Sequence, residues 1–131
     1  MGQRDKALKV LVMDPDPELQ AALQSFSIAG TQIGFLALTS VAASRKQAGL
    51  ADVVIVGVDC ASALSVVADL CSRSGMPQVI AIAGASLDGK SPEHLLLLAD
   101  LAGAALSLPK PVTAAELMAA ASGVARKRRP G

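Results

Sequence analysis

Three short stretches carry side chains able to do chemistry. Residues 14–17, DPDP, put two carboxylates, Asp14 and Asp16, at the end of an apolar run. Carboxylate oxygens so placed can hold a hard divalent cation. Asp16, followed by Pro17 and Glu18, is equally suited to cap a helix. Residues 108–111, LPKP, present Lys110 ahead of Pro111. A residue before proline is kept out of α backbone space, which suits an ammonium aimed at a fixed anion. In DVVIVGVDC, residues 52–60, an apolar run ends at Gly57 and brings an acid, Asp59, two positions later.

Other chemistries lack their residues. Neither G-x-x-x-x-G-K-[ST] nor G-x-G-x-x-G follows the first apolar run, and GASLDGK (84–90) has the wrong spacing for a phosphate loop. His94 falls in the first turn of a leucine-rich helix, and no serine or cysteine has a base beside it, so no enzyme is expected. There is no Cys/His metal spacing. Cys60 and Cys71 are placed in one helix about 16 Å apart, beyond the ~7 Å a disulfide spans. Both are expected to be reduced structural thiols.

The 131 residues suffice for one domain. The hydrophobic fraction is 52% and mean hydropathy is +0.49, yet no apolar run reaches the ~18–20 residues of a membrane span. The excess therefore belongs in a buried sheet. MGQRDKALK has no signal-peptide apolar region, and Lys6 stands where a myristoylation signal needs Ser or Thr. A cytoplasmic protein with no membrane partner is expected. Net charge is +1, giving no general attraction to nucleic acid. RKRR (126–129) reads as a solvated tail or linker stump, with no aromatic beside it for base stacking.

Apolar, β-branched runs at 8–13, 33–38, 52–57, 78–83 and 104–108 read as strands covered on both faces. Helix signals lie between them. Asp16-Pro17-Glu18 opens a helix with Leu19, Ala22, Leu23 and Phe26 on one face and Gly30 at its end. A short second helix spans 40–48. The third turns Leu64, Val67, Ala68 and Cys71 inward, and the fourth runs from Ser91-Pro92-Glu93 to Gly103. The fifth opens on a Thr113/Glu116 capping box and faces Leu117, Met118, Ala121 and Val124 inward. Five βα units predict an α/β, flavodoxin-like (βα)5 doubly wound parallel sheet of order 2-1-3-4-5. The expected division is an extension at 1–6, a domain at 7–125 and a basic tail at 126–131. The functional edge lies at the carboxyl ends of the strands: Met13–Pro17, Thr39–Val41, Gly57–Ala61, Ala83–Lys90 and Pro109–Pro111.

VLVMDPDPEL and AGAALSLPKPVTAAEL, with the five-unit pattern around them, resemble the receiver domain of two-component response regulators, the CheY-like superfamily of bacterial signalling. The likeness spans about residues 7–125. It implies an aspartate at the tip of strand 3 that takes a phosphoryl group from a histidine kinase. It also implies two acids after strand 1 holding magnesium, and a strand 5 lysine on the phosphoryl oxygens. A Ser or Thr at the end of strand 4 and an aromatic in strand 5 would relay the state. Matched residue by residue, Asp14 and Lys110 keep their places. Pro15 replaces the second acid, Gly57 the phosphoacceptor, Ala83 the Ser/Thr and Ser107 the aromatic.

The resemblance therefore implies a pseudo-receiver: phosphorelay-type fold, no phosphorylation cycle, no cofactor. Function would rest on protein partners or self-association through the fourth helix, fifth strand and fifth helix. In EHLLLLADLA the apolar residues, Leu97 and Leu101 among them, span about half the circumference. That exceeds the ~100° stripe of a sheet-facing helix. Leu96 is placed on the opposite, acidic side. Leu96, Leu97 and Leu101 are the expected interaction face.

Two alternatives stay open. Asp59 could accept phosphate beside Lys110 and Asp14, with a histidine kinase as partner and magnesium on Asp14 and Asp16. Two residues of strand rise, about 6.6 Å, separate it from the acceptor's place. Or the space left by Gly57 could take a small ligand, a nucleotide or flavin.

Overall fold

The computed structural model describes residues 8–26, 30–36, 46–59, 63–73, 75–84 and 89–128, with side chains as far as 125. The elements are β1 (Leu8–Met13), α1 (Pro17–Ser25), β2 (Thr31–Phe35) and a helical segment at 46–48, numbered α2. They continue with β3 (Val53–Gly57), α3 (Ala63–Cys71), β4 (Gln78–Ala83), α4 (Pro92–Ala102), β5 (Leu106–Pro109) and α5 (Ala114–Arg128). The sheet order is β2-β1-β3-β4-β5, and every adjacent pair is parallel. This is the flavodoxin-like topology expected from the sequence.

Burial explains the strand composition. All five residues of β3 are buried, because alternate side chains enter two different cores. Val54 and Val56 join Met13, Ala81 and Ala83 under α3 and α4. Val53 and Ile55 join Val12, Ile80 and Ile82 under α1 and α5. Each buried Val or Ile contributes roughly 1.5–3 kcal/mol, so the central strands anchor the edge where their tips emerge.

Several boundaries differ from the sequence reading. β2 begins at Thr31, two residues early, since an edge strand tolerates outward polar positions such as the exposed Gln32. α1 ends at Ser25, where the Phe26 N–H bonds back to Leu23 O. Gly30, at φ +83°, instead turns the chain into β2. β5 starts at Leu106, because Ala104 N–H is still closing α4 on Ala99 O, at 3.0 Å. α3 buries Ala63, Val66, Val67 and Leu70, whereas Ala68 is exposed and Leu64 and Cys71 are only half-buried. Its residues are apolar nearly all round, so the period alone does not choose a face. Asp69, paired at 3.1 Å with Arg73, marks part of the outer side.

Leu96 is a correction of the same kind. α4 packs on α3 as well as on the sheet, and Leu96 is half-buried against that core. The exposed leucines of α4 are Leu97 (54%) and Leu101 (75%), beside exposed Glu93 and Asp100. The thiol of Cys71 is free, and burial pushes its pKa up. Cys60, Thr39–Val41, the extension at 1–6, residues 129–131 and most of the predicted helix at 40–48 lie outside the described residues.

The helix ends follow their sequence signals. Ser91 Oγ accepts the His94 N–H at 3.1 Å at the start of α4. The Thr113/Glu116 box closes reciprocally, at 3.0 and 2.8 Å. Gly103 ends α4 in left-handed backbone, φ +115°, and a Cβ there would lie 2.8 Å from Cys71 Cβ. Both effects oppose a side chain. Gly103→Ala is expected to cost at least about 2 kcal/mol in urea unfolding; a loss under ~0.5 kcal/mol would contradict this role.

Candidate functional site

The tips of β1, β3, β4 and β5 converge as sheet geometry requires. Asp14 follows β1 and is 2% exposed. Its Oδ1 accepts the Asp16 N–H at 3.0 Å, and its backbone carbonyl accepts from Gln20 Nε2 at 2.7 Å. Its Oδ2 has no well-aligned hydrogen bond, but the Lys110 ammonium stands 2.8 Å away. Lys110 follows β5, held by its N–H on Ala83 O at 2.8 Å, and its bond to Pro111 is cis. The same ammonium lies 3.2 Å from Asp59 Oδ2, which also accepts the Gly84 N–H at 2.8 Å.

Asp59 is thus inside the pocket, against the expectation from strand rise. β3 ends at Gly57 and residues 58–59 form a turn. Val58 N–H still pairs with Ile82 O at 2.8 Å, and the turn at 58–59 brings the carboxylate to Lys110. The linear rise applied to residues that are no longer strand.

The space expected at Gly57 is filled. A Cβ built there runs into Asp14 Oδ2 and comes within 2.6 Å of Asp14 Cγ. The glycine allows the Asp14 side chain to lie across the β3 tip. Asp16 does not lean into the pocket. Its carboxylate caps α1, accepting the Glu18 N–H at 3.0 Å, and it lines a neighbouring groove of about 500 Å³ between α1 and Lys110–Ala114.

These residues do not fit a magnesium ion. Magnesium asks for octahedral oxygen ligands, usually with more than one acidic residue free to serve it. Here one Asp14 oxygen takes a backbone N–H and the other faces the ammonium. Pro15 offers no side-chain ligand, and Asp16 is engaged as a cap. Among the described residues, no three His, Cys, Asp or Glu cluster in a way that could hold a metal. The position between Asp14 and Asp59 is held by the protein's own cation.

Ala83 and Ser107 stand where the resemblance implies a relay. Ala83 is buried with no hydroxyl to offer. Ser107 instead donates to Asp100 Oδ1 of α4 at 2.5 Å, latching β5 to that helix. Sequence reading did not find the Gly84 amide, Gln20 or this latch. A backbone donor leaves no sequence signature, and Ser107 was legible only as a missing aromatic.

Solved structures that align with this chain include response-regulator receivers. The receiver domain (CheY-like) from Methanospirillum hungatei JF-1 aligns with TM-score 0.72 at 14% identity, covering 94% of this chain and 97% of its own. The signal receiver domain of the response regulator NarL from Mycobacterium tuberculosis gives 0.70 at 23%, covering 92% and 98%. The chain has the receiver fold. A response regulator from Burkholderia pseudomallei, solved with a phosphorylated aspartic acid, a calcium ion and citrate, aligns with TM-score 0.60 at 19%, covering 92% and 72%. No family model and no curated protein matches the sequence.

Within this receiver fold, Lys110 is the electrostatic centre. Burial acts to lower its pKa, but the close pairing with Asp14, and that with Asp59, more than offset it. The ammonium stands above its ordinary 10.5. With a folded value above the unfolded one, its stabilisation is fully present below the unfolded pKa, about 10.4. It is lost as pH rises through the folded value. Unfolding free energy should therefore fall more steeply above pH 10.5 in the native chain than in Lys110→Met. At neutral pH that variant should lose about 3 kcal/mol, because Asp14 and Asp59 are left facing each other without the cation between them. Parallel alkaline limbs in denaturant titrations would remove Lys110 from this role.

Proposed function

We propose that the chain is a cytoplasmic signalling module of receiver type that works without a phosphorylation cycle, by binding rather than by catalysis. The observation that carries this reading is at Gly57. The place of the phosphoacceptor has no side chain, and the Asp14 carboxylate lies across it, paired to Lys110. The phosphoryl-transfer chemistry of the fold is positioning plus charge neutralisation. Here the neutralising lysine is already engaged by two carboxylates.

Output would then come from the α4–β5–α5 surface, where Leu97 and Leu101 stand exposed and Ser107 holds β5 to α4. Two large apolar side chains four residues apart on one outward helix face suit a protein partner, or a second copy of the chain.

A phosphoacceptor role for Asp59 is the second reading, favoured by its 3.2 Å approach to Lys110. A histidine kinase would be its partner. The misfit of the acidic residues to magnesium weighs against it, since the cation is part of that chemistry. Incubation with acetyl phosphate and magnesium, followed by intact-mass measurement, separates the two. The first reading expects no phosphoryl adduct; a stoichiometric adduct abolished in Asp59→Ala would establish the second.

The surface has its own test. Leu101→Glu should keep the native circular dichroism spectrum, because Leu101 contributes little to the core. It should also lower concentration-dependent self-association or partner retention measured by light scattering after size exclusion. Identical behaviour of native chain and variant would remove this face as the interface.

A further inference from the structure

One oxygen, Asp59 Oδ2, receives two donors from two other strands: the Gly84 N–H at 2.8 Å and the Lys110 ammonium at 3.2 Å. An ammonium and a backbone amide converging on one point are the parts of an oxyanion site. The seat is rigid, because its walls are tied to the sheet. Val58 N–H holds Ile82 O and Lys110 N–H holds Ala83 O, both at 2.8 Å. Asp59 is 12% exposed and Lys110 19% at their side chains, so the charges meet largely out of water, where pairing is strong.

We infer that Asp59 is an internal anion, filling a seat made by Lys110 and the Gly84 amide that would otherwise take an oxyanion of the phosphate or carboxylate class. The inference rests on the phosphorylation-independent reading, and adds how the pocket is held in one state. The carboxylate binds the tips of β3, β4 and β5 together without a donor molecule. With Asp14 also on Lys110, the three groups sum to one negative charge, which repels a free anion from the native pocket. Removing the Asp59 carboxylate brings the sum to zero and leaves the Gly84 amide without this acceptor. A small anion from solution then has both donors to bind.

Thermal unfolding in inorganic phosphate, against sodium chloride of equal ionic strength, tests the seat. Asp59→Ala should melt below the native chain. Phosphate should then raise its Tm by roughly 4 °C more than it raises the native Tm, through linkage of binding to folding. Comparison with the native chain removes the general stabilisation that phosphate gives any protein. The double variant Asp59→Ala/Lys110→Met should lose the gain. An equal gain in native chain and Asp59→Ala, or in the single and double variants, would overturn the inference.

Should Asp59→Ala not fold, hydrogen exchange of the native chain and Asp59→Asn decides. The Gly84 amide should be protected in the native chain and exchange about tenfold faster once the charge is gone, a change of one pairing energy. An unprotected native Gly84 amide, or unchanged protection in Asp59→Asn, would overturn it. Failure of the seat leaves the Gly57 reading standing, whereas a phosphoryl adduct on Asp59 overturns that reading directly.

Discussion

The ammonium of Lys110 lies between two carboxylates brought from different strands, 2.8 Å from Asp14 and 3.2 Å from Asp59. Each carboxylate would be costly to bury alone, and two facing each other would be worse. The single cation makes their company tolerable and so sets the shape of the whole edge. Asp14 can lie across Gly57 because its charge is met there. The turn after β3 can fold back because Asp59 finds a donor at Gly84. Three strand tips and the start of α1 are thereby fixed around one side chain.

On the proposed reading, that arrangement lets a receiver fold persist with glycine at the place of the acceptor. The sheet and both cores depend on Val, Ile, Leu and Ala packing, which does not involve the pocket chemistry. The pocket needs only to balance its buried charge, and Lys110 does so from within. Ser107 donates to Asp100 and ties β5 to α4. On the proposed reading, both ties favour one lasting arrangement, and the surface carrying Leu97 and Leu101 would act through its shape.

Much of this was legible in the sequence. Strand runs stood out because the central strands are apolar on both faces, and Ser91-Pro92, Thr113/Glu116 and Gly103 marked helix ends through their capping chemistry. Asp14, Gly57 and Lys110 were legible as a set through the family resemblance. The rest depended on the third dimension. α3 is too evenly apolar to reveal its inner face, and Leu96 is covered because α4 leans on α3. Asp59 was placed too far away by treating a turn as a strand. The Gly84 amide, half of the seat around Asp59, carries no side chain to read.

The claim at the centre is that this pocket is already satisfied by its own residues. Amide spectra of the isotope-labelled native chain, titrated with magnesium and beryllofluoride, test it most directly. The account predicts that the Gly84 and Lys110 signals, and those of residues 106–108 and 93–102, stay where they are. A saturable shift beginning at Gly84 and Lys110 and spreading into α4 and β5 would contradict it.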